Sequence, residues 1–350
     1  MIVLGLIGVG VVVLLVINAS PLPVVISALA AAISFPLLIA LCFWLDRYEP
    51  EPGRYRLAAL AWGGTAAVLI GAGLSYVLAY LVDSSDVVAA VVWAPVTEEF
   101  GKGLFLILLV VLRPRQLFGP LDGAIYAALV GIGFSFVEDT LYYSVGFVGG
   151  GPETLAALVV LRGVLGAFSH SIYAALFGIG IGVAVQSRSP AVRVLAPLAG
   201  FVGAVLMHAL WNGSVIFYDQ LGFLAAYVLV MLPVLGVLIA LGTWARFQEG
   251  AMIRRSLAEC AQFGFVAFDE IELVASPPER VRARRHARGI GGRQAVRLMA
   301  AFQQALIEMA FLHAQVRRGN GPPDAAPRMA ALNARAAALR PYLLRPSLTT

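Results

Sequence analysis

Trp93-Ala-Pro-Val-Thr-Glu98-Glu99-Phe-Gly-Lys102, followed by Gly-Leu-Phe-Leu-Ile-Leu-Leu-Val-Val-Leu112, decides how this chain is read. From residue 87 to residue 112 the side chains are almost all apolar, long enough for a helix to cross a bilayer. Two adjacent carboxylates and a lysine interrupt that run near its middle. A charged side chain at mid-membrane costs about 2.5–3.5 kcal/mol on insertion scales. Such a cluster therefore calls for a polar cavity shared with other helices.

Outward from this stretch the pattern repeats. Apolar runs cover residues 1–18, 24–45, 57–82, 120–143, 155–185, 192–218 and 221–245. With 87–112 they make about eight spans, since within hydrocarbon only a helix satisfies its own backbone groups. The breaks carry turn chemistry, as in Pro50-Glu-Pro-Gly53, Asp83-Ser-Ser-Asp86, Arg113-Pro-Arg115 and Gly149-Gly-Gly-Pro152. Composition agrees: 60% of the 350 residues are hydrophobic, 13% are charged, and the mean hydropathy is +0.86. Soluble domains carry about 25% charged residues.

Loop charge sets an orientation. Arg47, Arg54 and Arg56 lie between spans two and three, Arg113 and Arg115 between four and five, and Arg188 and Arg193 between six and seven. The intervening loops, 19–23, 83–86, 144–154 and 219–220, hold no Lys or Arg. By the positive-inside rule both termini are cytoplasmic. The expected fold is thus an all-α polytopic membrane helix bundle, N-in/C-in, with a mostly helical polar C-terminal tail. Residues 1–246 form the membrane domain and 247–350 the cytoplasmic tail. Residues 1–18 lack a basic n-region and are read as a retained helix.

The tail after residue 250 carries 15 basic against 7 acidic residues. Helices are expected at 293–318 and 325–341, after the basic segment Arg280-Val-Arg-Ala-Arg-Arg-His-Ala-Arg288. That segment reads as an orientation-setting basic linker, with attraction to anionic lipid as the alternative. No nucleic-acid motif is present. Cys42 and Cys260 sit in different environments and imply neither a disulfide nor a metal site.

Further polar residues fall inside apolar runs: Phe134 and Glu138-Asp139 in span five, Arg162 and His170 in span six, His208 and Asn212 in span seven. Lys102 reaches Glu98 at i,i+4 and Glu99 at i,i+3. Two adjacent carboxylates in a low-dielectric site can share one proton, which supplies a base and an acid together. His208 and Asn212 share a helix face, as do Phe134 and Glu138. Glycines at 101, 103, 131 and 133 permit close helix approach. The four segments converge at or above the midplane, toward the outer face. Arg162, near the outer end of its span, reads as a snorkelling side chain. Trp93, Trp211 and Tyr142–Tyr143 suit an aromatic belt or ordinary packing, and Asp122 the start of a helix.

Glu98-Glu99-x-x-Lys102, Phe134-x-x-x-Glu138, the lone His170 in a Gly-rich helix and His208-x-x-x-Asn212, in this order, resemble the PrsW family of intramembrane proteases. That family is related to the CAAX prenyl endopeptidase and ABI membrane proteases. The resemblance covers roughly residues 40–245 and leaves out the tail. One departure is Asp139, where Asn is expected in relatives, which leaves the role of that position open.

The resemblance implies hydrolysis of a peptide bond in a membrane-anchored protein, such as an anti-sigma factor. Glu98 and Glu99 would then be the base and acid pair, with Glu98 preferred for activating water. Lys102 would set their charge state, and Glu138 and His170 would orient water or substrate. His208 and Asn212 would be oxyanion donors. A metal-free glutamate mechanism is preferred, with zinc held by Glu138, His170 and His208 as the alternative. Two other classes use the same residues: a transporter or proton relay, and a non-catalytic scaffold that binds a partner helix. The expected setting is the plasma membrane, with lipid and a membrane-anchored substrate as partners and the oligomeric state open.

Overall fold

The computed structural model describes residues 21–47, 51–217, 220–319 and 321–343. The expected span 1–18 lies outside the described residues. The described residues fall into two compact units, one within Met1–Asp46 and Pro50–Gly242, the other within Arg47–Glu49 and Thr243–Thr350.

The first unit is helical throughout, because an apolar chain without water has no other means of pairing its N–H and C=O groups. Its helices are α1 (Pro21–Ala31), α2 (Phe35–Leu45), α3 (Gly53–Val82), α4 (residues 86–112), α5 (Pro120–Leu158), α6 (Ser169–Gln186), α7 (Pro190–Phe217) and α8 (Gln220–Gln262, which continues into the second unit). Helix α5 is the hub and packs against α1, α2, α3, α4 and α6. Leu81, Val111, Val145, Val164 and Leu229 point outward into surroundings that must be apolar.

Proline and glycine shape these helices. α4 passes through a π-helical turn, Ala89–Trp93, just before Pro95, and α8 through another, Tyr227–Met231, just before Pro233. Proline lacks the N–H that would continue the ladder, and the wider turn absorbs the mismatch. The expected loop 144–154 is instead helical up to a sharp break at Gly151, whose φ of 72° favours glycine, followed by Pro152. The chain then runs on as a π-helical turn, Val159–Leu165, breaks at residues 166–168, and restarts at Ser169. The single span expected at 155–185 is therefore interrupted, and His170 stands in the first turn of α6.

Six helical stretches among the described residues are long and apolar enough to cross a membrane: Pro21–Leu45, Gly53–Val82, Pro120–Gln186, Pro190–Phe217, Gln220–Gln262 and Pro277–Arg317. Pro120–Gln186 contains the breaks just described. α4 is not among the six, since Asp86, Glu98, Glu99 and Lys102 fall within it. At the ends of the helices, Asp122 accepts hydrogen bonds from the N–H groups of Phe118 (2.7 Å) and Gly119 (3.0 Å), the N-terminal role expected of it. Asp46 closes the α2–α3 connection by accepting from Glu51 N (3.0 Å) and Arg56 Nη1 (3.2 Å).

The second unit contains the end of α8, α9 (Phe268–Ala275), α10 (Pro277–Arg317) and α11 (Ala325–Leu343), around a core of Ile253, Leu257, Val274, Phe302, Leu306 and Met309. Helix α10 starts earlier than expected, breaks at Gly291 and Gly292, and takes in the basic segment. Arg280 is buried and donates to Val274 O, while Arg284 donates to the buried Gln303 (2.7 Å). The segment is thus part of a folded helix rather than a linker, because alternate arginines turn inward to cap carbonyl and amide oxygens.

Candidate active site

α4 supplies Glu98, Glu99 and Lys102. Their one-turn spacing puts the ammonium 2.7 Å from Glu99 Oε1 and 3.9 Å from Glu98 Oε2. Glu99 and Lys102 are each 1% exposed, so this pair has left solvent entirely. Lys102 also donates to His170 Nδ1 (2.8 Å) and lies 3.9 Å from the centroid of the Phe134 ring. An ammonium only donates, so His170 Nδ1 presents its lone pair there.

His170 Nε2 lies 2.7 Å from Glu138 Oε2. The ring's second nitrogen therefore donates to a carboxylate, and both its nitrogens are engaged. From α7, His208 Nδ1 donates to Glu99 Oε1 (2.9 Å), and its Nε2 lies 3.8 Å from Glu98 Oε2. Tyr173 stacks on the His208 ring, with centroids 5.0 Å apart at 20°, and fixes its plane. Glu98 makes no hydrogen bond among the described residues, although its Oε2 is buried.

Close backbone packing makes this possible. A Cβ at Gly131 would meet His170 O at 2.5 Å, so only glycine lets α5 approach the start of α6. A Cβ at Gly71 in α3 would meet Glu98 Cγ at 2.8 Å. The glycines at 101, 103 and 133 likewise face neighbouring helices closely.

Two residues differ from expectation. Arg162 does not snorkel: its guanidinium donates to Glu138 Oε2 and, at 2.6 Å, to Asp139 Oδ1. Asp139 is also held by Ser135 Oγ (3.1 Å). The depth estimate put Arg162 at a span end because the break at 166–168 carried only a weak signal, Gly163 and Gly166. Asn212, expected as an oxyanion donor, instead donates to Ala90 O (2.8 Å) in the π-helical turn of α4. Tyr142 lies over Arg162, with the guanidinium carbon 4.2 Å from the ring centroid.

The structure thus brings together Glu98, Glu99, Lys102, Glu138, Asp139, Arg162, His170 and His208. Formally four carboxylates face two cations, an excess of two negative charges that two protons or one divalent cation would balance. One group of metal-capable atoms converges among the described residues: Glu98, His170 and His208, all within 4.8 Å of one another. Glu98 stands where the zinc alternative had Glu138, whose carboxylate is instead drawn to Arg162. The donor set suits zinc, His208 has the carboxylate behind its Nδ1 that metal-binding histidines commonly have, and Glu98 Oε2 lacks a hydrogen-bond partner. His170 would have to release Lys102 or Glu138.

Several helices long and apolar enough to cross a membrane, around a buried carboxylate–histidine–lysine centre, define the class as a multi-pass membrane protein. The family described as PrsW family intramembrane metalloprotease matches residues 51–238, and the chain belongs to this family of membrane proteases. The chain is similar to Protease PrsW of Geobacillus kaustophilus (strain HTA426): 29% identical over 160 residues, which cover 45% of this chain and 67% of that protein. No solved structure matches it.

Proposed function

We propose that the chain is an endopeptidase that hydrolyses a peptide bond in a membrane-anchored protein, with Glu98 activating the water. The observation that supports this is the contrast between the two adjacent glutamates. Each buries an Oε2 without a hydrogen-bond partner, but Glu99 is tied through Oε1 to Lys102 and His208, while Glu98 makes no hydrogen bond among the described residues. Glu98 takes a proton from water as the water attacks the scissile carbonyl, and returns it to the leaving amine. Lys102, 3.9 Å from Glu98, is the nearest fixed positive charge for the oxyanion. The His208 Nε2 lone pair accepts a hydrogen bond from the water. Glu99 holds His208 in that tautomer, and Asn212 acts through the α4 backbone rather than on substrate.

The charge excess and the converging triad favour a second reading, in which Glu98, His170 and His208 hold a divalent metal. Such a metal would supply Lewis-acid polarisation and an acidified water. The two readings share residues and part on metal content.

The wider setting is also a proposal: eight spans, both termini cytoplasmic, the membrane domain at 1–246 and the tail at 247–350, in the plasma membrane. Loop charge supports it. The centre then lies toward the outer face, and a membrane-bound regulator such as an anti-sigma factor is a fitting substrate.

The test is cleavage of a transmembrane peptide by the full chain in lipid nanodiscs, with elemental analysis of the same sample. Wild-type cleavage, lost in Glu98→Gln, supports the proposal, and no cleavage across a library of transmembrane peptides contradicts it. Activity that survives chelation in metal-free protein favours the glutamate reading. Stoichiometric zinc that returns with activity favours the metal.

A further inference from the structure

Arg162 belongs to no motif that the sequence singled out, yet it ends the chain of contacts that runs through the centre. Its guanidinium forks between the adjacent carboxylates Glu138 and Asp139. The ring of Tyr142 covers its face, and its side chain is 13% exposed. The Glu138 oxygen that Arg162 grips, Oε2, is the same one that faces His170 Nε2 at 2.7 Å. From there contacts pass through His170 Nδ1 to Lys102, on to Glu99, and on to His208. Arg162 and His170 lie on either side of the break at 166–168, so two points of one segment meet on one carboxylate.

We propose that Arg162 is a positioning residue: its fork holds the Glu138 carboxylate against His170 Nε2, which fixes the proton on that nitrogen and turns the Nδ1 lone pair toward Lys102. A purely structural ion pair would need one acid and no shared oxygen. The planar fork matters because two carboxylates on consecutive residues point in different directions. A guanidinium spans both, whereas an ammonium is a point charge. Ser135 holds the far oxygen of Asp139 at 3.1 Å, so the fork is braced from its other side as well. This assigns a use to Asp139, the residue that departs from the family pattern. For the fork to hold the same proton beside a metal, that metal would have to take the His170 Nδ1 lone pair from Lys102.

The test uses the full chain in nanodiscs, labelled with ¹⁵N-histidine. The chain has four histidines, so His170→Gln identifies the resonance of interest. Long-range ¹⁵N–¹H couplings are expected to show His170 protonated at Nε2 and bare at Nδ1. In Arg162→Lys the Nε2–H signal is expected to shift and kcat to fall about 10–100-fold, with KM changed less, as for other residues that orient a functional histidine. Asp139→Asn, which weakens half of the fork, should give a smaller shift in the same direction. A wild-type His170 protonated at Nδ1 overturns the proposal. So does a folded Arg162→Lys with an unmoved Nε2–H signal. If Arg162→Lys does not fold, the wild-type and Asp139→Asn spectra still decide. The kinetic arm rests on the protease reading; if even the wild type cleaves nothing, that reading fails while the histidine spectrum still judges Arg162.

Discussion

Gly71→Ala is a perturbation that reaches the centre without touching any of its polar atoms. A methyl group at Gly71 would stand 2.8 Å from Glu98 Cγ and 3.1 Å from Glu98 Cα, where ordinary contact begins at 3.4 Å. Glu98 Cγ must therefore withdraw by about 0.6 Å, and because Cα is crowded too, a rotamer change alone does not relieve the clash. In stability the substitution gains about 1 kcal/mol of helix propensity and loses about 1–3 kcal/mol to overpacking, so the protein should still insert and fold. Activity is more sensitive, since displacing a catalytic group by up to 1 Å can cost about 100-fold. We expect cleavage of a transmembrane peptide to fall about 10–100-fold with little change in thermal stability. Gly73→Ala is the matched control: same helix, same substitution, nothing within 4 Å of the added methyl. If the two variants cleave equally well, Glu98 is not the group whose position matters, and the assignment fails.

Lys102→Met would leave Glu99 buried beside His208 without its cation, and should destabilise the protein by about 3–5 kcal/mol; unchanged thermal unfolding in detergent would contradict that. Asn212→Ala removes the hydrogen bond to Ala90 O and should cost about 1–3 kcal/mol, with activity falling alongside stability. If instead kcat drops about 100-fold at unchanged stability, Asn212 is an oxyanion donor after all. Burial raises the Asp46 carboxyl to about 7, partly offset by the Glu51 N–H and Arg56. Its protonated form is favoured by folding, so that stability is present below the unfolded value of 3.8 and is lost as pH rises toward 7. Thermal midpoints measured from pH 5 to pH 8 should decline in the wild type and flatten in Asp46→Asn; parallel curves would rule this out.

Much of the centre was legible in the sequence because a bilayer makes ionisable residues expensive, so those that remain stand out. Spacing along one helix was also readable, and Lys102 does bridge toward both glutamates as i,i+3 and i,i+4 contacts allow. What spacing cannot give is the rotation of one helix against another. That decides why Glu138 turns to Arg162 while Glu98 joins the two histidines, and why Asn212 faces a backbone carbonyl. Breaks were harder still. Gly149-Gly-Gly-Pro152 announced an interruption, but the valines at 145 and 148 carry the helix almost to its end. The later break before His170 rests on glycines that also pack against neighbours, as Gly166 does against Trp211, so sequence alone could not separate the two uses. In the tail the density of arginine suggested solvent, whereas Arg280 is buried in the second unit.

The central claim is that Glu98 makes this chain a protease. It is tested most directly by comparing membrane and shed proteins from cells that carry the wild type or Glu98→Gln, once both are shown to insert equally. We expect at least one membrane-anchored protein to lose its ectodomain with the wild type alone. Identical membrane and shed proteomes, at rest and under envelope stress, would contradict the claim.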